Sequence, residues 1–316
     1  MNTPTLIIIF NRPQKTRTLI DALRPVRPNR IYVAADGPRP DREGEAALCE
    51  ETRAIIDTID WPCEIFKDYS KENMGCGPRP ATAISWVFEH EESAIILEDD
   101  CIPDPSLFPY CSELLEKYKS DSQIMQICGT NHIDNLQIEE SYFYTHYISC
   151  WGWATWRRAW QHFDYDMTDC KEEPVTELLQ GIFNDIPSIK FWKNTLLKTQ
   201  EGDDSVWDYR WQYAVWKKQG LCIIPRVNLV SNIGFGLDST HTFDIKNPDN
   251  SKKINTIKQP LIHPASKSQN LTYNSERQKS FNERSLWKHL KKQLKKIIPA
   301  QVIKRYQIRK YGQTFD

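Results

Sequence analysis

The chain has no Cys-x-x-Cys pair, although nine cysteines are spread along its 316 residues. An odd number of scattered cysteines does not suit a disulfide framework, and the missing paired spacing does not suit a structural zinc site. The sequence therefore predicts reduced thiols and a cytoplasmic protein.

Long apolar segments are also missing. No run approaches the roughly 20 apolar residues that a membrane-spanning helix needs. The amino terminus enters a predicted strand at once, without the basic segment and apolar core of a signal peptide. These absences favour the cytoplasm as well, and they leave peripheral contact with the inner face of a membrane as the remaining membrane role.

A net charge near zero hides an uneven distribution of charge. The formal net charge is −1, yet lysine and arginine far outnumber acidic residues from Leu271 onward. In the tail, residues 284–316, apolar residues recur at helical spacing and lysines fill the opposite face, which predicts a basic amphipathic helix. Such a helix either lies on an anionic membrane surface or packs its apolar stripe on the body. Nucleic acid is not an expected partner, because the rest of the chain is acidic and carries no recognition motif.

The first third of the chain alternates apolar runs with helix-like segments. Residues 5–10 and 94–97 are almost entirely apolar, as in strands that are buried on both faces of a parallel sheet. The alternation predicts an α/β fold with a mostly parallel, Rossmann-like sheet flanked by helices. Ligands of such sheets bind beyond the carboxyl ends of the strands, so polar side chains at those ends are the candidates for a functional site.

Three carboxylates follow the predicted strand at residues 94–97, namely Glu98, Asp99 and Asp100. Hard cations such as Mn²⁺ and Mg²⁺ prefer carboxylate oxygens and often complete their shell with substrate phosphates. Asp100 is the candidate metal ligand because it is furthest from the strand. Asp99 is a candidate for a ribose hydroxyl or a metal-bound water, and Glu98 for orienting the other two. An acidic turn without a ligand is the alternative interpretation.

Two other predicted strands and one turn also present polar residues. Arg12 follows the first strand and is a candidate for a bidentate phosphate contact, with a surface salt bridge as the alternative. Asp36 ends the second strand and is a candidate for contact with a base or ribose, with a simple turn before Gly37 as the alternative. Arg79 lies beside the glycine-rich turn at residues 73–78, where backbone can approach a ligand, and is a second candidate for a phosphate.

A further carboxylate, Asp208, falls in the first turn of a predicted helix, between Trp207 and Trp211. Partial burial against indole rings raises the pKa of a carboxyl group towards that of a useful general base. Interaction with the helix dipole is the alternative role. Asp203 or Asp204 suits the N-cap of the same helix.

His241 ends a predicted flexible loop, residues 234–241. A loop histidine can reach a metal or a phosphate after the loop closes. A histidine without a function is the alternative.

Together these segments resemble the GT-A glycosyltransferases, and most closely the N-acetylglucosaminyltransferase I family. The likeness covers roughly residues 5–243 and rests on the order and spacing of its parts. The matching parts are residues 9–12, 34–36, 95–100, 103–108, 151–153 and 207–208, a strand at 221–224, residues 235–236 and His241.

The resemblance implies a GT-A catalytic domain at residues 1–243, with a nucleotide-binding half at 1–104 and an acceptor-binding half at 105–243. The polar composition of residues 244–283 predicts a loop-like linker between this domain and the tail. The implied activity is a metal-dependent, inverting transfer of a sugar from a nucleotide-diphosphate donor, with a UDP-sugar expected. The acceptor would be a hydroxyl group of a glycan or of a lipid-linked glycan.

The resemblance also implies roles for single residues. Asp100 would bind Mn²⁺ or Mg²⁺, Asp208 would be the general base, and Arg12 and Asp36 would contact the nucleotide. The chain departs from the family at Tyr209, where the family has a second acid. Two alternatives stay open, a nucleotidyltransferase of the same fold and a catalytically silent module that binds sugar nucleotides.

Overall fold

The structure is a computed structural model that describes residues 2–134, 136–203, 206–235 and 252–283. Within these ranges the chain forms ten strands and eight α-helices with assigned bounds. The strands are β1 (Thr5–Ile9), β2 (Arg30–Ala35), β3 (Glu64–Tyr69), β4 (Ser93–Glu98), β5 (Cys101–Pro103), β6 (Ile124–Cys128), β7 (Tyr142–Thr145), β8 (Trp153–Trp156), β9 (Leu221–Pro225) and β10 (Val230–Asn232). The helices are α1 (Pro13–Leu23), α2 (Glu45–Ile55), α3 (Pro78–His90), α4 (Leu107–Lys117), α5 (Arg157–Trp160), α6 (Glu172–Gln180), α7 (Ile186–Gln200) and α8 (Asp208–Lys217).

The fold class predicted from the sequence is confirmed. Eight strands form one sheet in the order β3-β2-β1-β4-β8-β6-β9-β7, and β5 pairs with β10 in a separate two-stranded ribbon. The first four strands of the sheet are mutually parallel. Their carboxyl ends therefore meet at one edge, as ligand-binding sites of this fold class require.

Helices cover both faces of the sheet because the central strands are apolar on both faces. In β1, Ile7 and Ile9 pack in a cluster with apolar residues of α1 and α2, whereas Leu6 and Ile8 pack in a second cluster with residues of α3. All four side chains are buried. An unbroken apolar run is what a strand between two helical layers needs, since side chains alternate between the faces.

The second half of the sheet is mixed rather than parallel. Strand β8 runs antiparallel to both of its neighbours, β4 and β6. It brings Trp153, which is fully buried, next to Trp207, with the two rings stacked at 5.7 Å between centroids. This stacking holds Trp207, the residue before α8, against β8.

Residues 252–283 lie against the body, in contrast to the loop-like linker that their polar composition predicts. Residues 271–283 are helical. Tyr273 is fully buried and its ring packs 4.9 Å from that of Phe143. The amide oxygen of Gln278 accepts hydrogen bonds from Tyr147 Oη at 2.6 Å and Trp192 Nε1 at 2.9 Å. Gln278 can be buried here because its amide oxygen finds two hydrogen-bond partners, which composition does not reveal.

The remaining segments of the predicted linker and tail, residues 244–251 and 284–316, lie outside the described residues. The division into a catalytic domain, linker and tail stays a prediction. Among the described residues, none of the helices has the length and apolar character that spanning a membrane requires.

Candidate functional site

The acidic triplet lies at the carboxyl edge of the sheet, beside the ends of β1 and β2. The amide of Asp99 donates to the carbonyl of Ile8 at 3.0 Å, and that of Asp36 donates to the carbonyl of Ile9 at 3.1 Å. These bonds extend the strand ladders by one residue and fix the backbone positions of both acids. Arg12 lies at the N-cap of α1, immediately before Pro13, so the start of this helix faces the triplet.

Arg12 forms an ion pair with the triplet. Its Nη1 lies 3.1 Å from Oδ1 of Asp99 and 2.9 Å from Oδ2 of Asp100. All three side chains are largely buried, with 17%, 6% and 12% of their surfaces exposed. The predicted phosphate contact of Arg12 would therefore form in competition with, or beside, two carboxylates that the structure already places against it.

The triplet holds more negative charge than this one guanidinium balances. Burial, reinforced by the charges of Asp100 and Asp99, raises the pKa of Glu98 to about 8. Burial also raises the pKa of Asp99 to about 6, although Arg12 acts in the opposite direction. Carboxyl groups crowded in this way are stabilised by any added cation.

Asp100 is held in a close-fitting cradle. Its Oδ1 lies 3.4 Å from Nδ2 of Asn232 and 3.6 Å from Sγ of Cys101. Its backbone carbonyl accepts a hydrogen bond from Ile233 at 2.8 Å. A β-carbon on Gly234 would stand 2.0 Å from Oδ2, so a larger residue would require the loop or the carboxylate to move. The sequence does not reveal this cradle, because β10 pairs with β5 from far along the chain.

A divalent cation at Asp100 stays a prediction, and it would be bound through a single protein carboxylate that Arg12 already contacts. Within the described ranges, no set of three or more His, Cys, Asp or Glu side chains is arranged to hold a metal by itself. Mg²⁺ sites commonly use only one or two carboxylates and complete the shell with water and substrate phosphates. The carboxylate of Asp100 and the negative charge of its neighbours Glu98 and Asp99 are the features that such an ion would use.

Asp36 accepts hydrogen bonds from the glycine-rich turn and from Gly37. Its Oδ1 accepts hydrogen bonds from the amides of Gly37 at 2.9 Å and Met74 at 2.8 Å. Its Oδ2 accepts from the amide of Gly75 and from Nδ2 of Asn73, both at 3.0 Å. Four donors saturate the two oxygens. In this structure Asp36 therefore shapes the glycine-rich turn, which is the alternative interpretation, and its contact with a nucleotide stays a prediction.

Arg79 is also engaged within the protein. Its side chain is 4% exposed, and its Nη1 lies 2.8 Å from Oδ2 of Asp68. Its Nη2 donates to the carbonyl of Asp68 on β3. A phosphate contact of Arg79 stays a prediction that would require this ion pair to rearrange.

Asp208 lies at the first residue of α8, directly after Trp207, which is the N-cap. The sequence favours Asp203 or Asp204 as the cap, but Asp203 instead accepts a hydrogen bond from Arg210 through its carbonyl, and Asp204 lies outside the described residues. Oδ1 of Asp208 accepts from the amide of Tyr209 at 2.9 Å. The side chain therefore stays close to the exposed amides of the helix start.

The structure brings Asp208 to the acidic triplet although the two are far apart in sequence. The charge of Asp208 contributes to the raised pKa of Glu98, after burial and the two neighbouring aspartates. A second link runs through aromatic rings, since Phe235 follows Gly234 and packs 5.8 Å from Trp151. These two links connect the acidic edge with the start of α8, and their joining in one functional site stays a prediction.

A cavity of about 180 Å³ lies beside Asp208. Trp151, Trp192 and Phe281 supply aromatic walls, and His132 and Ser149 supply a polar pair with 3.0 Å between Nε2 and Oγ. Arg277, from the helix at residues 271–283, completes the lining together with residues of α8.

Sequence reasoning missed Arg277 and the helix that carries it. The signal that could have found them is the spacing of Tyr273, Arg277 and Phe281, which recur every four residues and share one helix face. His241, the second candidate metal contact, lies outside the described residues.

Comparisons with known proteins leave the function open. No protein-family model matches the chain, and no curated protein matches it. A solved structure of UDP-glucose pyrophosphorylase complexed with UDP-glucose is similar over 70% of this chain and 90% of that chain, with 9% sequence identity and a TM-score of 0.35. None of these findings supports the resemblance to the N-acetylglucosaminyltransferase I family in particular.

Proposed function

We propose that the chain is a metal-dependent glycosyltransferase of the GT-A type. It would transfer a sugar, with inversion, from a nucleotide-diphosphate donor to a hydroxyl group of a glycan or lipid-linked acceptor. A UDP-sugar is the expected donor, and the order of the matching segments supports a relationship to the N-acetylglucosaminyltransferase I family.

One observation carries the proposal: Asp208 lines a cavity with Trp151, and Trp151 packs on Phe235, next to the Gly234 that abuts Asp100. The triplet, with Arg12, offers an electrostatic setting for a cation and a diphosphate at the carboxyl edge of the sheet. Asp208 offers a separate carboxylate at a cavity whose wall includes Trp151, and Trp151 packs on Phe235, the residue after Gly234. Sugar transfer needs these two functions side by side, since one handles the leaving group and the other the acceptor.

Asp100 would hold Mn²⁺ or Mg²⁺, and such an ion would supply positive charge for the leaving diphosphate. Arg12 would add a guanidinium to the same phosphates. Asp208 would accept the proton from the acceptor hydroxyl group. The acceptor oxygen would then form its bond to the anomeric carbon from the face opposite the diphosphate, as the bond between that carbon and the diphosphate oxygen breaks.

Two other functions make use of the same acidic edge. A nucleotidyltransferase would join a sugar phosphate to a nucleoside triphosphate and release pyrophosphate, and a silent module would bind a sugar nucleotide without chemistry. Asp208 favours sugar transfer, because a base beside a cavity next to the donor edge has a direct use in activating an acceptor hydroxyl group.

Calorimetry and product analysis separate these functions. We expect UDP to bind wild-type protein with Mn²⁺ and to bind much more weakly with EDTA or in Asp100→Asn. We then expect at least one nucleotide sugar in a panel to be hydrolysed slowly in the presence of metal. Pyrophosphate release from a nucleoside triphosphate and a sugar phosphate would identify a nucleotidyltransferase. Binding without turnover of any donor would identify a silent module, and no binding of UDP with Mn²⁺ would reject the proposal.

Contact of the basic tail, residues 284–316, with an anionic membrane is a further part of the proposed function. The test is co-sedimentation of the full chain with vesicles that contain anionic lipid, with neutral vesicles as the control. Replacing Lys291, Lys292, Lys295 and Lys296 by glutamate should abolish sedimentation if the lysines bind the membrane. Equal sedimentation of both proteins would reject the contact.

A further inference from the structure

Arg277 is a buried cation that makes no direct ion pair with a described residue, although Asp208 lines the same cavity. Only 8% of the surface of Arg277 is exposed. Its Nε has no hydrogen-bond partner within the described part of the chain. Its guanidinium carbon lies 4.7 Å from the ring centroid of Phe281. A cation–π contact stabilises one face of a guanidinium but does not satisfy a donor in its plane such as Nε. Burial of such a group is unfavourable unless an anion completes it.

The position of Arg277 is fixed by the residues around it. One turn earlier, Tyr273 is fully buried against Phe143. On the following residue, Gln278 accepts hydrogen bonds from Tyr147 and Trp192. The helix at residues 271–283 is therefore anchored on both sides of Arg277. Its packing on the body fixes the position from which Arg277 lines the cavity.

The same cavity contains Asp208, the proposed base. Its volume of about 180 Å³ corresponds to about six water molecules at roughly 30 Å³ each. This is less than the roughly 300 Å³ at which typical sites for drug-sized ligands begin, and it suits one monosaccharide unit better than a nucleotide sugar. The aromatic walls, Trp151 and Phe281, can face the apolar side of a sugar ring, and the pair of His132 and Ser149 can meet its hydroxyl groups.

We propose that this cavity binds the acceptor through a sugar unit that carries an anionic group, a carboxylate or a phosphate, paired with Arg277. The proposal rests on the proposed function, since it gives the acceptor its place beside Asp208. A planar guanidinium pairs with either oxyanion through two parallel hydrogen bonds. An acceptor hydroxyl group on the same unit or its neighbour would then lie within reach of the base, while the cation at the acidic edge would serve the donor.

Ligand binding to the full chain tests the proposal with defined probes. We would titrate D-glucuronate, glucose 6-phosphate and neutral D-glucose, and follow binding by saturation-transfer difference NMR. We expect at least one anionic sugar to bind about tenfold or more tightly than glucose, because charge-assisted hydrogen bonds are the stronger class. Preference for glucuronate would indicate a carboxylate-bearing acceptor, and preference for glucose 6-phosphate would indicate a phosphate-bearing one.

The variant Arg277→Met separates a ligand-binding role from a structural one. It should lose the preference for anionic sugars while keeping an unchanged or higher thermal midpoint, since it removes a buried charge that lacks a partner. The matched control is Arg24→Met, whose arginine is 39% exposed and pairs with Asp21, and it should keep the preference. A lower midpoint in Arg277→Met together with unchanged sugar binding would overturn the proposal, as would equal binding of glucose and both anionic sugars by the wild type.

Parallel titration of UDP with Mn²⁺ keeps this inference distinct from the proposed function. If UDP binds and no anionic sugar is preferred, the anionic acceptor is rejected and the proposed function is retained. If anionic sugars are preferred and UDP with Mn²⁺ does not bind, the proposed donor site is rejected. The cavity would then bind an anionic sugar in a protein with another function. Arg277→Met should bind UDP with Mn²⁺ as well as the wild type does.

Discussion

Gly234 lies so close to Asp100 that a β-carbon on residue 234 would stand 2.0 Å from the carboxylate Oδ2. Real side-chain contacts do not approach this distance, so either the loop after β10 or the carboxylate would have to move. The candidate metal ligand is thus positioned by the absence of a side chain on a segment far along the chain.

Gly234→Ala should impair the donor site with a modest effect on the rest of the fold. Overpacking of this kind destabilises by about 1–3 kcal/mol, and a displacement of about 1 Å in a catalytic group lowers turnover by roughly 10²-fold. We expect the Mn²⁺-dependent affinity for UDP, measured by calorimetry, to fall about tenfold or more. Gly181→Ala is the control, because Gly181 has an ordinary helical φ of −73° and lies at the end of α6. Unchanged affinity in Gly234→Ala would mean that Asp100 does not depend on this cradle.

Arg12→Met should destabilise the protein when no divalent cation is present. The substitution leaves the buried carboxylates of Asp99 and Asp100 without the guanidinium that lies 3.1 and 2.9 Å away. Removing one partner of a buried pair lowers the free energy of unfolding by about 3 kcal/mol or more. Urea unfolding in EDTA measures the change.

Mn²⁺ should stabilise Arg12→Met by more than it stabilises the wild type, since a bound cation would replace the lost charge. The double variant Arg12→Met, Asp100→Asn should recover part of the stability in EDTA and lose the response to Mn²⁺. An Arg12→Met protein as stable as the wild type would show that the ion pair does not balance the triplet.

The parallel half of the fold and its acidic edge could be predicted because their signals are local. The apolar run at residues 94–97, set between helix-like segments, predicts a buried strand, and the polar residues that follow it lie at the strand end. The order of the strands could not be predicted where neighbouring strands are distant in sequence. Strand β8 is inserted antiparallel beside β4, and nothing in its four residues, 153–156, distinguishes that partner from others.

The contacts of individual side chains were less predictable than their positions. Asp36 lies at the predicted strand end, but its oxygens are taken by the turn at residues 73–75. The helix that carries Arg277 has a polar composition typical of a linker, because its buried face uses hydrogen bonds to Tyr147 and Trp192 in place of apolar packing. Composition reports hydrophobic burial well, but it does not report burial of polar groups that find partners in the folded chain.

Asp208→Asn should abolish most of the proposed transferase activity while leaving donor binding intact. General base catalysis contributes typically 10²–10⁴-fold, so turnover should fall by about that factor. Asparagine keeps the size of the side chain, and the affinity for UDP with Mn²⁺ should change by less than about twofold, because Asp208 is assigned to the acceptor. The control is Asp21→Asn, an aspartate with 59% of its side chain exposed. Full activity of Asp208→Asn in a transfer assay would show that another group accepts the proton.

His146 should make the stability of the protein fall between about pH 6.5 and pH 4. Burial lowers the pKa of His146 to about 4, while the unfolded chain keeps the ordinary value near 6.5. The unfolded state therefore binds a proton first as the pH falls, and stability that is present above pH 6.5 is lost progressively down to the folded pKa. The full loss is up to roughly 3 kcal/mol, from 1.36 kcal/mol per pKa unit.

The contacts of His146 explain why the proton is disfavoured and define the variant that tests it. Nδ1 lies 3.0 Å from Oε1 of Gln269, whereas Nε2 has no hydrogen-bond partner within the described residues and would carry the added proton. His146→Asn keeps a donor for Gln269 without titrating, so its free energy of unfolding, measured by urea at each pH, should change less between pH 6.5 and 4 than that of the wild type. His90→Asn, at an exposed position, should retain the wild-type slope. Equal slopes in all three proteins would show that His146 does not control acid stability.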